Sequence, residues 1–204
     1  MSPLDDESRG GPCPSCPNSS LPHDSSTPFI VTAAQCRCPQ ATVATRGIAF
    51  VVALFVGTLA EYLVHRLMHS GKFLTKKHAK HHQKGHGQGW AGEFKDYFLP
   101  SLVIIWVGFP ISWGAGFGFA IGATLYACMA AYAHQVQHEN PDLVFWLKSP
   151  VHHLHHKHKM WKHNFGILVD FWDKVFGTYK PCEWSRSKKL SEYSLGSYFH
   201  IKWF

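Results

Sequence analysis

The sequence predicts an all-α integral membrane protein with about three transmembrane helices and a cytoplasmic, His-rich helical cap. Three observations lead there. Residues 47–64 and 97–133 are almost wholly apolar. The basic residues cluster in the segments that follow each of these stretches. Fourteen of the 16 histidines fall between His65 and His163, in spaced clusters and not in one tract. A mean hydropathy of -0.12 averages over this segregation. With 16% charged and 15% aromatic residues, the chain is not disordered throughout, and 204 residues fit one domain with a tail.

Residues 1–42 are expected to form a disordered N-terminal tail, because Pro12, Pro14, Pro17, Pro22, Pro28 and Pro39 stand among serines and threonines. Asp5, Asp6 and Glu7 replace the basic start of a signal peptide. Cys13-x-x-Cys16 with Cys36-x-Cys38 can hold zinc on paper, but the Pro/Ser context favours an unstructured reading. Asn18-Ser19-Ser20 formally matches a glycosylation acceptor.

The stretch 47–64 is apolar apart from Thr58 and Glu61. As a helix it reaches about 27 Å, close to the thickness of a bilayer core. The stretch 97–133 carries no charge and is too long for one span, so it predicts two spans joined by a tight reversal. Pro110 and the glycines around Gly114-Ala115-Gly116 are the expected turn. Gly118 and Gly122, with Ala123, Ala127 and Ala130, offer a small-residue face for close helix packing. Lys72, Lys76, Lys77, Lys80 and Lys84 precede the hairpin, and Lys148, Lys157, Lys159 and Lys162 follow it. A hairpin returns to the side it left, so both basic regions share one face, cytoplasmic by the positive-inside rule. A net charge of +7 therefore reads as contact with anionic headgroups; no nucleic-acid motif accompanies it.

Four histidine motifs lie on that face: His65-x-x-x-His69, His78-x-x-His81-His82, His134-x-x-x-His138 and His152-x-x-His155-His156. Residues three and four apart share a helix face, so each motif is expected to aim its imidazoles one way. Ten candidate ligands exceed the four of a structural zinc and fit two ions of higher coordination. Imidazole suits iron, zinc, copper and nickel alike, so the donors do not name the metal. Carboxylate-type di-iron bundles need Glu-x-x-His pairs, which are absent, as is a Gly-x-Ser-x-Gly nucleophile turn. Gly85, Gly87, Gly89 and Gly92 read as a flexible connection. His153, His158 and His163 stand where they orient ligands or add to them; His86 reads as loop, and His23 and His200 as incidental.

These motifs, with the segment HNFGILVDFWDKVFGTY (163–179), resemble the fatty acid hydroxylase/sterol desaturase superfamily over residues 47–181. The resemblance implies a fatty acid hydroxylase-like membrane domain over 43–181, followed by a C-terminal tail at 182–204. It also implies two iron ions in a non-haem di-iron centre, with O2 as co-substrate, for lipid hydroxylation or desaturation. By that likeness His65, His69, His78, His81, His82, His134, His138, His152, His155 and His156 are the iron ligands, with no catalytic residue beyond them. The resemblance further implies electrons from an external ferredoxin- or cytochrome-type donor, for which the basic face suits an acidic partner. Two other readings remain at this stage: a carotenoid hydroxylase, and a non-enzymatic membrane zinc- or nickel-binding protein. Trp90, Phe94, Tyr97 and Phe98 are expected at the mouth of a lipid groove or in an interfacial belt. Trp161, Phe165, Phe171 and Trp172 are expected beneath the metal site or in ordinary core. Asp170 and Asp173 are candidate acceptors for ligand imidazoles, with helix capping the competing role for Asp173.

Overall fold

The computed structural model describes residues 39–204, with side chains from residue 43. The cysteine pairs, the Asn18 triplet and His23 lie outside the described residues. Within them the chain is all-helical, with six α-helices and no strand.

Helix α1 (Pro39–Met68) begins inside the segment expected as tail and carries the first apolar stretch through to His65. Helix α2 (Thr75–Lys84) holds the second histidine motif. Helix α3 (Trp90–Ile104) tightens into a 3-10 turn at Ile105–Gly108, and helix α4 (Trp113–Glu139) returns along it. The reversal lies at residues 109–112, one step earlier than the sequence reading placed it. Pro110 sits in it, whereas Gly114 and Gly116 belong to the first turn of α4, where Ser112 accepts a hydrogen bond from the Ala115 N–H. Helices α5 (Val151–Lys157) and α6 (Phe171–Val175) are short.

The principal packing is α4 against α1 on one side and against α3 on the other. Gly118 and Gly122 let α1 and α4 meet backbone to backbone: a Cβ at Gly122 would stand 2.5 Å from the Phe50 carbonyl oxygen. Two helices, α1 over Val43–Met68 and α4, are long and apolar enough to cross a membrane. The uncharged part of the α3 limb, residues 97–108, is shorter. Large apolar side chains on these elements point outward, among them Val103 at 78% and Trp113 at 74% exposure. A continuous outward apolar surface of this kind marks a face covered by lipid or protein.

Beyond the helical hairpin, Val136, Leu143, Val144, Leu147, Val151 and Ile201 form a second core. The C-terminal segment is tied to it. The N–H groups of Trp90 and Ala91, which open α3, donate to the carbonyls of Lys202 and Trp203 at 2.8 and 2.9 Å. Tyr132 donates to the Tyr198 carbonyl, and the Lys202 N–H to Glu139.

Candidate metal centre

All ten histidines of the four motifs meet where α1, α2, α4 and α5 converge, and they form two groups. One comprises His65, His69, His78, His82 and His155. The other comprises His81, His138, His152 and His156. His134 joins it through His81, Nε2 to Nε2 at 3.1 Å.

The motifs do not each aim in one direction, as the sequence reading expected. In both H-x-x-H-H motifs the first and last histidines serve one group and the middle one crosses to the other. Helix geometry explains the split. A residue four places on lies about 40° past its start and one three places on about 60° short of it, so the two diverge by about 100°. The (i, i+4) pairs His65/His69 and His78/His82 therefore stay together, as do His134/His138 and His152/His156. His155 and His81 are exchanged between the groups.

Ring nitrogens in each group converge. In the first, His69 Nε2 lies 2.8 Å from His78 Nε2 and 3.0 Å from His155 Nε2. In the second, His81 Nε2 lies 3.0 Å from His138 Nε2. Imidazole nitrogens bound at about 2.0–2.1 Å to one ion stand about 3 Å apart at right angles, which is the spacing seen. Hydrogen bonds alone do not account for it, since three mutually adjacent nitrogens of His69, His78 and His82 cannot all be paired by one proton each. His65 Nε2 and both ring nitrogens of His156 are buried without a hydrogen-bond partner among the described residues. Such orphans cost about 1–3 kcal/mol each unless a ligand completes them. The residues present thus fit two metal ions.

The surroundings fix the rings. A carbonyl only accepts, so the Nδ1–H of His65 donates to Phe165 O and that of His155 to His163 O, the latter at 2.7 Å. Both leave Nε2 unprotonated and turned inward. His134 donates from Nδ1 to the Glu93 carboxylate at 2.8 Å. Burial, then repulsion from neighbouring imidazoles, pushes His81 down to about 3 and His69 and His82 to about 4. Burial likewise takes His155 to about 3. At neutral pH these rings are uncharged and present lone pairs.

The remaining candidates lie outside both groups. His153 donates to the Gln137 carbonyl and His158 is exposed. His163 contributes its backbone oxygen. Asp170 pairs with Lys174, and Asp173 touches no imidazole among the described residues. Fully buried, Asp173 accepts from the N–H groups of Phe165 and Gly166 and from the Thr178 hydroxyl. It shapes the strap at 163–168, where Gly166 is required because a Cβ would stand 2.1 Å from the Val169 carbonyl oxygen. Glu61, one turn before His65 near the end of α1, accepts from the Ile167 and Leu168 N–H groups and from Tyr126. Gln137 accepts from the His152 N–H and donates to the Ile167 carbonyl. The sequence reading missed Glu93, Gln137 and the supporting role of Glu61; the one signal was a carboxylate at Glu61 within an apolar run. The loop expected to be flexible is docked on α4, where the Gly89 N–H donates to Gln135.

An apolar cavity of about 410 Å³ runs between α1, α3 and α4 and ends on His65, His78, His81, His134 and His152. Of the four aromatics expected at its mouth, only Tyr97 lines it. Trp90, Phe94 and Phe98 stack on one another, with ring centroids 5.2 and 5.1 Å apart, away from the cavity. Phe165 and Trp161 do lie against the histidines: Trp161 stacks on His82 and meets His69 edge-on. Phe171 and Trp172 pack together, and Trp172 lies on Phe55 of α1.

The family model described as fatty acid hydroxylase matches residues 50–178, more than half of the chain and every one of the ten histidines. The chain belongs to the fatty acid hydroxylase family. A ceramide very long chain fatty acid hydroxylase of Saccharomyces cerevisiae is 33% identical over 145 residues, 64% of this chain and 37% of that protein. A sphinganine C4-monooxygenase of Arabidopsis thaliana is 27% identical over 142 residues, 65% of this chain and 54% of that one. A very-long-chain aldehyde decarbonylase of Oryza sativa subsp. japonica is 26% identical over 159 residues, 74% and 61% respectively. This fatty acid hydroxylase family chain thus spans less than two thirds of the length of each. No solved structure matches it.

Proposed function

We propose that this protein is a membrane-embedded lipid hydroxylase that holds two iron ions, one in each histidine group. The observation that carries the reading is the meeting of two five-imidazole groups with the end of an apolar cavity. Two of the relatives, the ceramide very long chain fatty acid hydroxylase and the very-long-chain aldehyde decarbonylase, are named for very long chain substrates, and that supports a substrate with a long apolar chain. The proposed membrane unit covers residues 43–181, with 182–204 lying against it. It crosses the bilayer with α1, α4 and the shorter α3 limb, and the histidines face the cytoplasm beside the lysines.

The chain's own residues bind, orient and exclude. The ten histidines His65, His69, His78, His81, His82, His134, His138, His152, His155 and His156 are the proposed ligands. Bound iron would supply the activation of O2 and the attack on an unactivated C–H bond. The cavity holds the apolar chain with one carbon against the histidines and keeps water away from it. Trp161 covers the opposite side. Hydroxylation consumes two electrons from outside, for which the lysine-rich face suits an acidic ferredoxin- or cytochrome-type donor.

The test is metal and product analysis on the full chain purified in detergent. Two irons per chain, with hydroxylated lipid formed only when oxygen and reductant are both present, is the expected result. Tightly held zinc and no product after iron loading would overturn the proposal.

A further inference from the structure

We infer that Glu93 is a positioning residue that makes the two histidine groups unequal hosts, the α4-based group gripping its ion more tightly. The inference rests on the two-metal reading above.

The outward nitrogens of the two groups have different partners. In the first group, His65 and His155 donate to the peptide carbonyls of Phe165 and His163. In the second, His134 donates to a carboxylate. Among the described residues Glu93 is the only carboxylate in hydrogen-bonding contact with any of the ten imidazoles. It is 1% exposed and both oxygens are engaged. One lies 2.8 Å from His134 Nδ1 and the other accepts from the Gln88 N–H at 2.9 Å. Glu93 stands in the first turn of α3, where the helix N-terminus favours negative charge. Tyr97, one turn further on, places its hydroxyl 3.3 Å from the same ring nitrogen.

A full negative charge behind an imidazole holds the proton on Nδ1, fixes the ring and enriches Nε2 more than a neutral carbonyl does. The second group therefore contains one ligand of higher basicity that the first group lacks. A carboxylate serving only to cap α3 would leave the rate of metal loss from the second group unchanged in Glu93→Gln.

The experiment is the timed loss of metal from the full chain in detergent, loaded with Fe(II) and challenged with excess chelator. Loss in two phases of equal amplitude is expected for the wild type. In Glu93→Gln, which keeps size and the contact to Gln88, the slow phase should accelerate about 10–100-fold toward the fast one. Glu93→Asp should restore part of the difference. The wild-type curve needs no variant to fold: loss of both ions in one phase overturns the inference while leaving the two-metal reading intact. Two phases unchanged in Glu93→Gln also overturn it. A wild type that takes up fewer than two ions removes the two-metal reading itself, and the inference with it.

Discussion

His65 donates its Nδ1 proton to the carbonyl of Phe165, a residue 100 positions further along the chain. That bond joins the end of the first apolar helix to a strap held by Asp173, Glu61 and Gln137. Phe165 O cannot be deleted by substitution, but its support can. Asp173→Asn replaces one carboxylate oxygen by an N–H2 that faces N–H donors, with loss of about 1–3 kcal/mol. The expected result is incomplete metal loading of the first group, read as fewer ions per chain by elemental analysis.

Trp161 is 51% exposed yet stacks on His82 with ring centroids 5.4 Å apart. Trp161→Ala opens the water side of the first group without touching the cavity. Metal exchange should quicken several-fold while KM for lipid stays unchanged. Exchange kinetics measured beside steady-state kinetics separate these two effects.

Ala123 lines the cavity between α1 and α4. Ala123→Phe places an aromatic ring in that space, and overpacking costs about 1–3 kcal/mol in stability. Bound metal should be unchanged, whereas turnover of the longest apolar chains should fall most. A chain-length series with product analysis gives the readout; equal loss for short and long chains would mean that the cavity does not hold the substrate chain.

Gly122 meets α1 backbone to backbone, so Gly122→Leu has no room to adapt. The thermal midpoint in detergent should drop and metal content should fall with it, because His134 and His138 ride on the same helix.

The ten histidines were legible because (i, i+4) spacing is a local property that sequence carries directly. So were the two long apolar helices, and the glycine face that lets them touch. The exchange of His81 and His155 follows from helix geometry but needs the positions of the neighbouring helices to assign. The ring-holding groups were not legible, since Phe165 O and His163 O are backbone atoms common to any residue type. Glu93 looked like one charge among many until the fold buried it. The aromatics at 90, 94 and 98 carried the composition of a groove lining, yet their helix turns them toward one another and leaves Tyr97 alone on the cavity side.

The crossing of His81 and His155 between groups places the divide inside two helices and not between them. His81 and His82 are successive residues on one rigid rod, as are His155 and His156, and successive helical residues are separated by about 1.5 Å of rise and 100° of rotation. The separation of the two groups is thus ruled by helical pitch. Any shift of α2 or α5 therefore carries a residue of each group with it, and the two groups move together or not at all.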